Sequence, residues 1–357
     1  MFPRNRCHTF RFVSHLKRFC RLRYKYKYYF LYRKRYFNKI YTCIIALRPE
    51  RIKTSANFTV VISPHGTGIN THYMEIRPLS GTDPEIIWDG FSKAFADYEV
   101  QINRTQFLAL IRRRGFDPDV SFAAFEGKDN IIAFTLNGTG TFNGIPTAYD
   151  TGTGTVKEHR GKGLATKIFE YSLPFLKERN LQQYLLEVLQ HNTAAVSVYR
   201  KLGFEVTREF NYFVQKSAQL RPGTGTAGSG LSVREIDPVT AAGIEDFEDF
   251  PPSWQNSHES VCRVPDHFIA LGAYEGEKML GYCIIEPAGG DIPQFAVKKD
   301  NRRQGTGSLL FREALLLNRS EIVKIVNADI NCESITGFLL SKNIPVTGKQ
   351  FEMIRKL

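Results

Sequence analysis

The sequence predicts an α+β protein built from two tandem domains, and three observations carry that prediction. From Met74 onward, short runs with strand character alternate with stretches whose apolar residues recur at helical spacing. One strand passes through a basic, glycine-bearing turn directly into a helix, over Thr155-Val-Lys-Glu-His-Arg-Gly-Lys-Gly-Leu-Ala165. That turn recurs as Arg302-Arg-Gln-Gly-Thr-Gly307, and the step from Arg160 to Arg302 nearly equals the step from Asn192 to Asn331. Like motifs at matched spacing mark a duplication.

Taken in order, residues 75–79 read as an edge strand. Asp83-Pro84 opens a helix with Ile86, Ile87, Phe91 and Phe95 on one face, since Asp and Pro favour helix starts. A second helix spans 104–114, with Phe107, Leu108 and Ile111 at core spacing. Residues 121–125 and 130–136 read as an antiparallel pair, and 146–156 as a Thr/Gly-rich strand entering the turn. The helix from Leu164 to about Arg179 is expected to kink, or to end its first part, at Pro174. Residues 183–189 suit a buried strand, Asn192 caps a helix over 193–202, and Gly203 stops it. A hairpin of 204–208 with 210–215 is predicted to close the first domain, 74–215. Residues 216–230 have the Gly/Thr/Ser composition of a flexible linker. Residues 232–236 then resemble 75–79 and start the second domain, 231–357.

The charge is uneven. Residues 1–53 hold 16 Lys/Arg against the single acid Glu50, a local +15 in a chain of net +12, so the remainder is −3. This segment, 1–73 in all, interleaves basic residues with Tyr and Phe, and three readings stay open. It is a disordered extension too poor in aliphatics to form a core, or sequence upstream of a true start at Met74, or a nucleic-acid or anionic-membrane binding tail. The six cysteines, Cys7, Cys20, Cys43, Cys262, Cys283 and Cys332, form no Cys-x-x-Cys pair. That usage suits a reduced cytoplasm and argues against a disulfide framework or a structural metal. No apolar run approaches the roughly 20 residues of a membrane span, so no membrane partner is expected.

A turn at a helix start points unpaired N–H groups outward at the positive end of the helix dipole. Gly161 and Gly163 let a bulky anion approach that backbone, so the turn is read as a pyrophosphate cradle. It is not a P-loop, because Val156 and Gly163 stand where glycine and Ser/Thr are required. Nor is it a dinucleotide fingerprint, because Thr166 replaces the third glycine. Arg160-x-x-Gly163-x-Ala165 instead resembles the acyl-CoA signature of the GNAT N-acetyltransferase superfamily. Asn192-x-x-Ala195-x-x-Val198-Tyr199-x-x-Leu202-Gly203-Phe204 is similar to the other half of that site. The resemblance covers roughly residues 74–215.

It implies two GNAT-like domains, each a mixed sheet splayed open in the middle and flanked by helices, with acetyl-CoA in the first split. The backbone of Arg160, Gly161, Lys162, Gly163, Leu164, Ala165 and Thr166 would hold the pyrophosphate, with Lys157, Arg160, Lys162 or Lys167 meeting other phosphates. Thr155 and Val156 would offer backbone hydrogen bonds to the acetyl carbonyl, and Asn192 would cap the neighbouring helix. The implied activity is acetyl transfer to a primary amine, of a small molecule or a peptide, by direct attack. Tyr199 is the candidate acid for the CoA thiolate, and Asp150 and Glu187 are candidate bases. Trp88, Phe95 and Tyr98 are read either as acceptor-pocket lining or as core. The Arg112-Arg113-Arg114 run is read as a solvated helix end or as recognition of an acidic substrate. In the second domain Phe338 takes the tyrosine position and Lys342-Asn343 replace Gly203-Phe204, so that half is expected to be degenerate. The alternative is a non-catalytic acyl-CoA sensor with a basic nucleic-acid-binding tail.

Overall fold

The structure, a computed structural model, describes residues 74–98, 101–221 and 230–357, together with two short strands before them. The chain divides into two compact units, 1–69 and 70–357. In the first, β1 (Tyr29–Leu31) pairs antiparallel with β2 (Ile44–Ala46). The readings made for the rest of the 1–73 segment lie outside the described residues. No helix among the described residues is long and apolar enough to cross a membrane.

The first half of the second unit runs β3 (Met74–Pro78), α1 (Pro84–Ala94), α2 (Arg104–Arg113), β4 (Phe122–Glu126), β5 (Asn130–Phe142), β6 (Ile145–Thr155), α3 (Leu164–Glu178), β7 (Gln183–Leu189), α4 (Thr193–Lys201) and β8 (Glu205–Lys216). Local chemistry sets the boundaries. Asp83 accepts from the Glu85 N–H to start α1, and Asn103 with Gln106 forms a capping box at α2. Alternation along the strands sends side chains to both faces. Ala123, Phe125, Phe134 and Leu136 pack beneath α1 and α2 with Ile87 and Phe107. Phe122, Ala124 and Ile132 pack beneath α3 with Leu164 and Ile168. Trp88 and Phe95 join the first of these clusters.

The second half repeats the series with β9 (Leu231–Ile236), α5 (Pro238–Ala242), α6 (His258–Arg263), β10 (Ile269–Glu275), β11 (Lys278–Glu286), β12 (Asp291–Val297), α7 (Thr306–Leu317), β13 (Ile322–Asp329), α8 (Glu333–Ser341) and β14 (Val346–Lys356). Both halves share one sheet of twelve strands, ordered β3-β4-β5-β6-β7-β14-β8-β13-β12-β11-β10-β9. The order is symmetric about its centre, and the last strand of each half has crossed over. β14 lies between β7 and β8, and β8 pairs with β13.

This exchange corrects the predicted hairpin within 204–215. Those residues form one strand, because their partners come from the other half. Arg208 on β8 clamps Glu352 on β14 through Nε at 2.9 Å and Nη2 at 2.6 Å, with Glu352 buried. Pro174 also departs from expectation, since α3 runs through it. Proline leaves the carbonyl of residue i−4 without its helical donor. Here that residue is Glu170, which is exposed, as is Pro174, so the proline sits on the solvent face of the helix. The start of the predicted linker is packed rather than loose: Ser217 N–H bonds Glu321 O at 2.7 Å, and Arg221 N–H bonds Lys342 O at 3.0 Å. Residues 222–229 lie outside those described.

Candidate active site

β6 and β7 run parallel but pair only where Thr147–Tyr149 face Gln183–Leu185, after which they diverge. The split opens a cleft of about 330 Å³, lined among others by Asp150, Thr155, Ala165, Glu187, Asn192 and Tyr199. Asp150 is the first residue of β6 beyond the last paired position. Its Oδ2 accepts from Thr153 Oγ1 at 2.9 Å and from the Tyr199 hydroxyl at 3.1 Å. Its Oδ1 is buried without a partner. Burial pushes the Asp150 carboxyl up to about 6, against the opposing pull of those two hydroxyl donors. Burial likewise raises the Tyr199 phenol well above its ordinary value, and the Asp150 charge adds to the effect. Asn192 caps α4, its Oδ1 accepting from Ala195 N–H at 3.2 Å.

Glu187 lines the same cleft but both its oxygens are engaged. Oε2 accepts from the Tyr149 hydroxyl, and Oε1 from Asn327 Nδ2 at 3.2 Å. Burial lifts its carboxyl to about 7.

At the turn, Gly161 and Gly163 have φ of 75° and 72°, and a Cβ on either would meet nothing within 4 Å. Glycine adopts these left-handed angles without the strain a side chain brings. The first backbone bond of α3 is Lys167 N–H to Gly163 O at 3.1 Å, so the Leu164, Ala165 and Thr166 N–H groups are the free helix start. Lys157, Lys162 and Lys167 are exposed around it.

Two cradle expectations change. The Arg160 guanidinium is committed within the protein: Nη1 and Nη2 reach Asp97 at 2.7 Å each, Nη2 reaches Ala94 O at 2.8 Å, and Nε reaches Thr155 O at 3.1 Å. It braces the turn against the end of α1 instead of standing free for a phosphate. Val156 N–H is also spent, on Ile132 O at 2.9 Å, and so does not serve an acetyl carbonyl. The Leu164 side chain is core.

The family model for "Acetyltransferase (GNAT) family" matches residues 85–204, the span holding the turn and most of this cleft's lining. Residues 85–204 thus carry a GNAT-family domain. N-alpha-acetyltransferase 30 of Schizosaccharomyces pombe is 40% identical over 67 residues, 18% of this chain and 45% of that protein. Mycothiol acetyltransferase of Saccharomonospora viridis is 30% identical over 147 residues, 39% of this chain and 48% of that protein. This chain thus spans less than half the length of each of these two relatives. Among solved structures, a tandem GNAT protein from the clavulanic acid biosynthesis pathway aligns with a TM-score of 0.62 at 14% identity, over 80% of this chain and 98% of that one. A GNAT-type N-acetyltransferase from Sphaerobacter thermophilus aligns with a TM-score of 0.60 at 13% identity, over 79% and 95%. At these identities the structural likeness concerns the fold.

The second half repeats the brace, with Arg302 reaching Val297 O at 2.8 Å and Asp249 at 2.9 Å. Gly305 has φ of 91°. Its cleft, about 470 Å³, is lined by Phe338 stacked on Phe295, with ring centroids 5.1 Å apart. Neither ring donates a proton. Cys332, not Asn331, occupies the N-cap of α8, and it makes no side-chain cap bond.

Residues that sequence reading missed come mostly from this second half. Gln255 and Gln350 line the first cleft, and Asn327 holds Glu187. No local pattern marks them, because only the packing of the second half against the first brings them there. Tyr98 lines the cleft, whereas Trp88 and Phe95 do not. The three consecutive arginines diverge: Arg112 is exposed, Arg113 pairs with Asp291 at 2.5 Å, and Arg114 enters the cleft.

Proposed function

We propose that the protein transfers the acetyl group of acetyl-CoA to a primary amine in the first-half cleft. The observation that carries the reading is the half-buried Asp150–Tyr199 pair, set where the sheet splits and beside the glycine turn. The residues fit the co-substrate. Free N–H groups at the start of α3, glycines with open space and exposed lysines suit a pyrophosphate, and the cleft beyond suits a thioester arm.

Acetyl-CoA supplies an activated acyl carbon; the protein's part is to place the amine and manage its protons. An alkylammonium has a pKa of roughly 10, so it must lose a proton before it attacks. Asp150 is better suited to take it than Glu187, because Asp150 Oδ1 is unpartnered and Glu187 has both oxygens engaged. A carboxyl near 6 is also matched to work at neutral pH. Tyr199 gives its hydroxyl proton to the departing sulfur and recovers one from Asp150 across their hydrogen bond. The C–S bond breaks as the N–C bond forms. Of the two protons the ammonium loses, one ends on sulfur and the other in solvent.

Thiol release from acetyl-CoA with a panel of amines tests this, alongside calorimetric binding of acetyl-CoA. Turnover that Asp150→Asn reduces strongly is expected. Tight acetyl-CoA binding with no amine acetylated would favour the sensor reading instead.

A further inference from the structure

Arg114 closes α2 and lies half-buried in the first cleft. Its neighbour Arg113 is satisfied by a carboxylate, yet among the described residues Arg114 makes no ion pair. Two neutral acceptors hold it: Thr151 O at 2.9 Å and Gln255 Oε1 at 2.9 Å. That leaves a partly desolvated cation with no carboxylate at ion-pair distance, its charge felt only from further off by Asp150 and Glu187 in the same cleft, and a ligand carboxylate would complete it. Next along β6 from Thr151 stands Asp150, whose Oδ1 is buried and equally without a partner. One cleft therefore presents a guanidinium outside any ion pair and a carboxylate oxygen without a hydrogen bond, from adjoining positions.

The placement is built, not incidental. The chain at Arg114 is pressed onto β5, where a Cβ on Gly138 would lie 2.1 Å from Arg114 O. From the second half, the 3₁₀ turn Trp254–Asn256 buttresses it. Trp254 donates Nε1 to Arg114 O at 3.0 Å and stacks on Tyr149, with centroids 5.0 Å apart and 7° between planes. Gln255 on the same turn aims the guanidinium.

We propose that the acceptor is an amine bearing a carboxylate a few bonds away, an amino acid in the broad sense. Arg114 reads the carboxylate while Asp150 receives the amine, and the second half acts as the specificity element by holding Arg114 through Gln255. A guanidinium offers a carboxylate a two-point fork that an amide cannot match. This rests on the acetyl-transfer reading of the same cleft.

The test compares glycine and β-alanine with glycinamide and β-alaninamide, in turnover with acetyl-CoA and in calorimetric binding in the presence of CoA. The wild-type protein is expected to favour each acid over its amide by at least about tenfold in KM or Kd, a charge-assisted pair's usual worth. Arg114→Gln should bring that ratio close to one. So should Gln255→Glu, which sets an internal carboxylate against the guanidinium and keeps the side-chain shape. Thermal midpoints show whether each variant is folded, and if Arg114→Gln is not, Gln255→Glu decides. Acids and amides handled alike by the wild type, or a preference that survives both variants, overturns the inference. Acid-selective binding without turnover supports it and counts against acetyl transfer; turnover without acid preference does the reverse.

Discussion

Asp150 and Tyr199 share one hydrogen bond but divide the chemistry, so their substitutions should separate. Tyr199→Phe keeps the ring that packs edge-on against Phe204 and removes only the proton. With a working acceptor it should lower kcat about 10²-fold, the low end for a positioned acid because a thiolate leaves readily, and leave acetyl-CoA affinity nearly unchanged. Turnover near wild type would remove Tyr199 from the mechanism. Asp150 is a base only when ionised, so kcat/KM should rise with pH through about 6. The same burial has a stability signature. Its folded value, about 6, lies above the ordinary 3.8, so the native state binds the proton more tightly. Asp150 therefore costs nothing below about pH 4 and costs stability as pH rises towards about 6, by up to about 3 kcal/mol. Denaturant titrations of Asp150→Asn should show the variant gaining on the wild type across that window and holding level above it. A difference flat from pH 4 to 8 would contradict the buried-carboxylate account.

At the level of elements, the glycine turn works because its arginine is occupied. The two halves brace their turns in the same way, Arg160 to Asp97 and Arg302 to Asp249. If Arg160 were a phosphate ligand, Asp97→Asn would release it and tighten acetyl-CoA binding. As a brace it predicts the opposite: calorimetry should show Asp97→Asn and Arg160→Ala both weakening acetyl-CoA, the latter by about tenfold, one hydrogen-bonded charge pair's worth. Gly163→Val should weaken binding strongly, since valine resists a positive φ and fills the approach to the N–H groups. Gly305→Val should matter little if the first half is the working site, and an equal loss in both would assign binding to both halves.

At the scale of the molecule, the exchanged strands make the two halves interdependent. β14 covers the β7 edge along its whole length and also the β8 edge, so deleting residues 346–357 uncovers both. That deletion should abolish cooperative unfolding of the entire sheet, and residues 74–221 alone should fail to fold as a monomer. Independent, near-normal melting of such a fragment would show that the exchange is dispensable. Arg208→Ala should cost about 3 to 5 kcal/mol by stranding the buried Glu352.

The sequence by itself determined what adjacent residues decide: the caps at Asp83 and Asn192, the run of 183–189 as a buried strand, the left-handed glycine turn, and the repeat. Each is set within a few residues by backbone angles, capping donors or period. Only the tertiary structure decided the partner of β8, since a strand pattern states which side is apolar but not whose edge completes it. The same holds for the charges. Arg160 looked like a phosphate ligand and became a brace, while Arg114 looked like part of a solvated run and became a cleft cation. A long side chain finds its partner through space, and here the partners Asp97 and Gln255 lie far away in sequence.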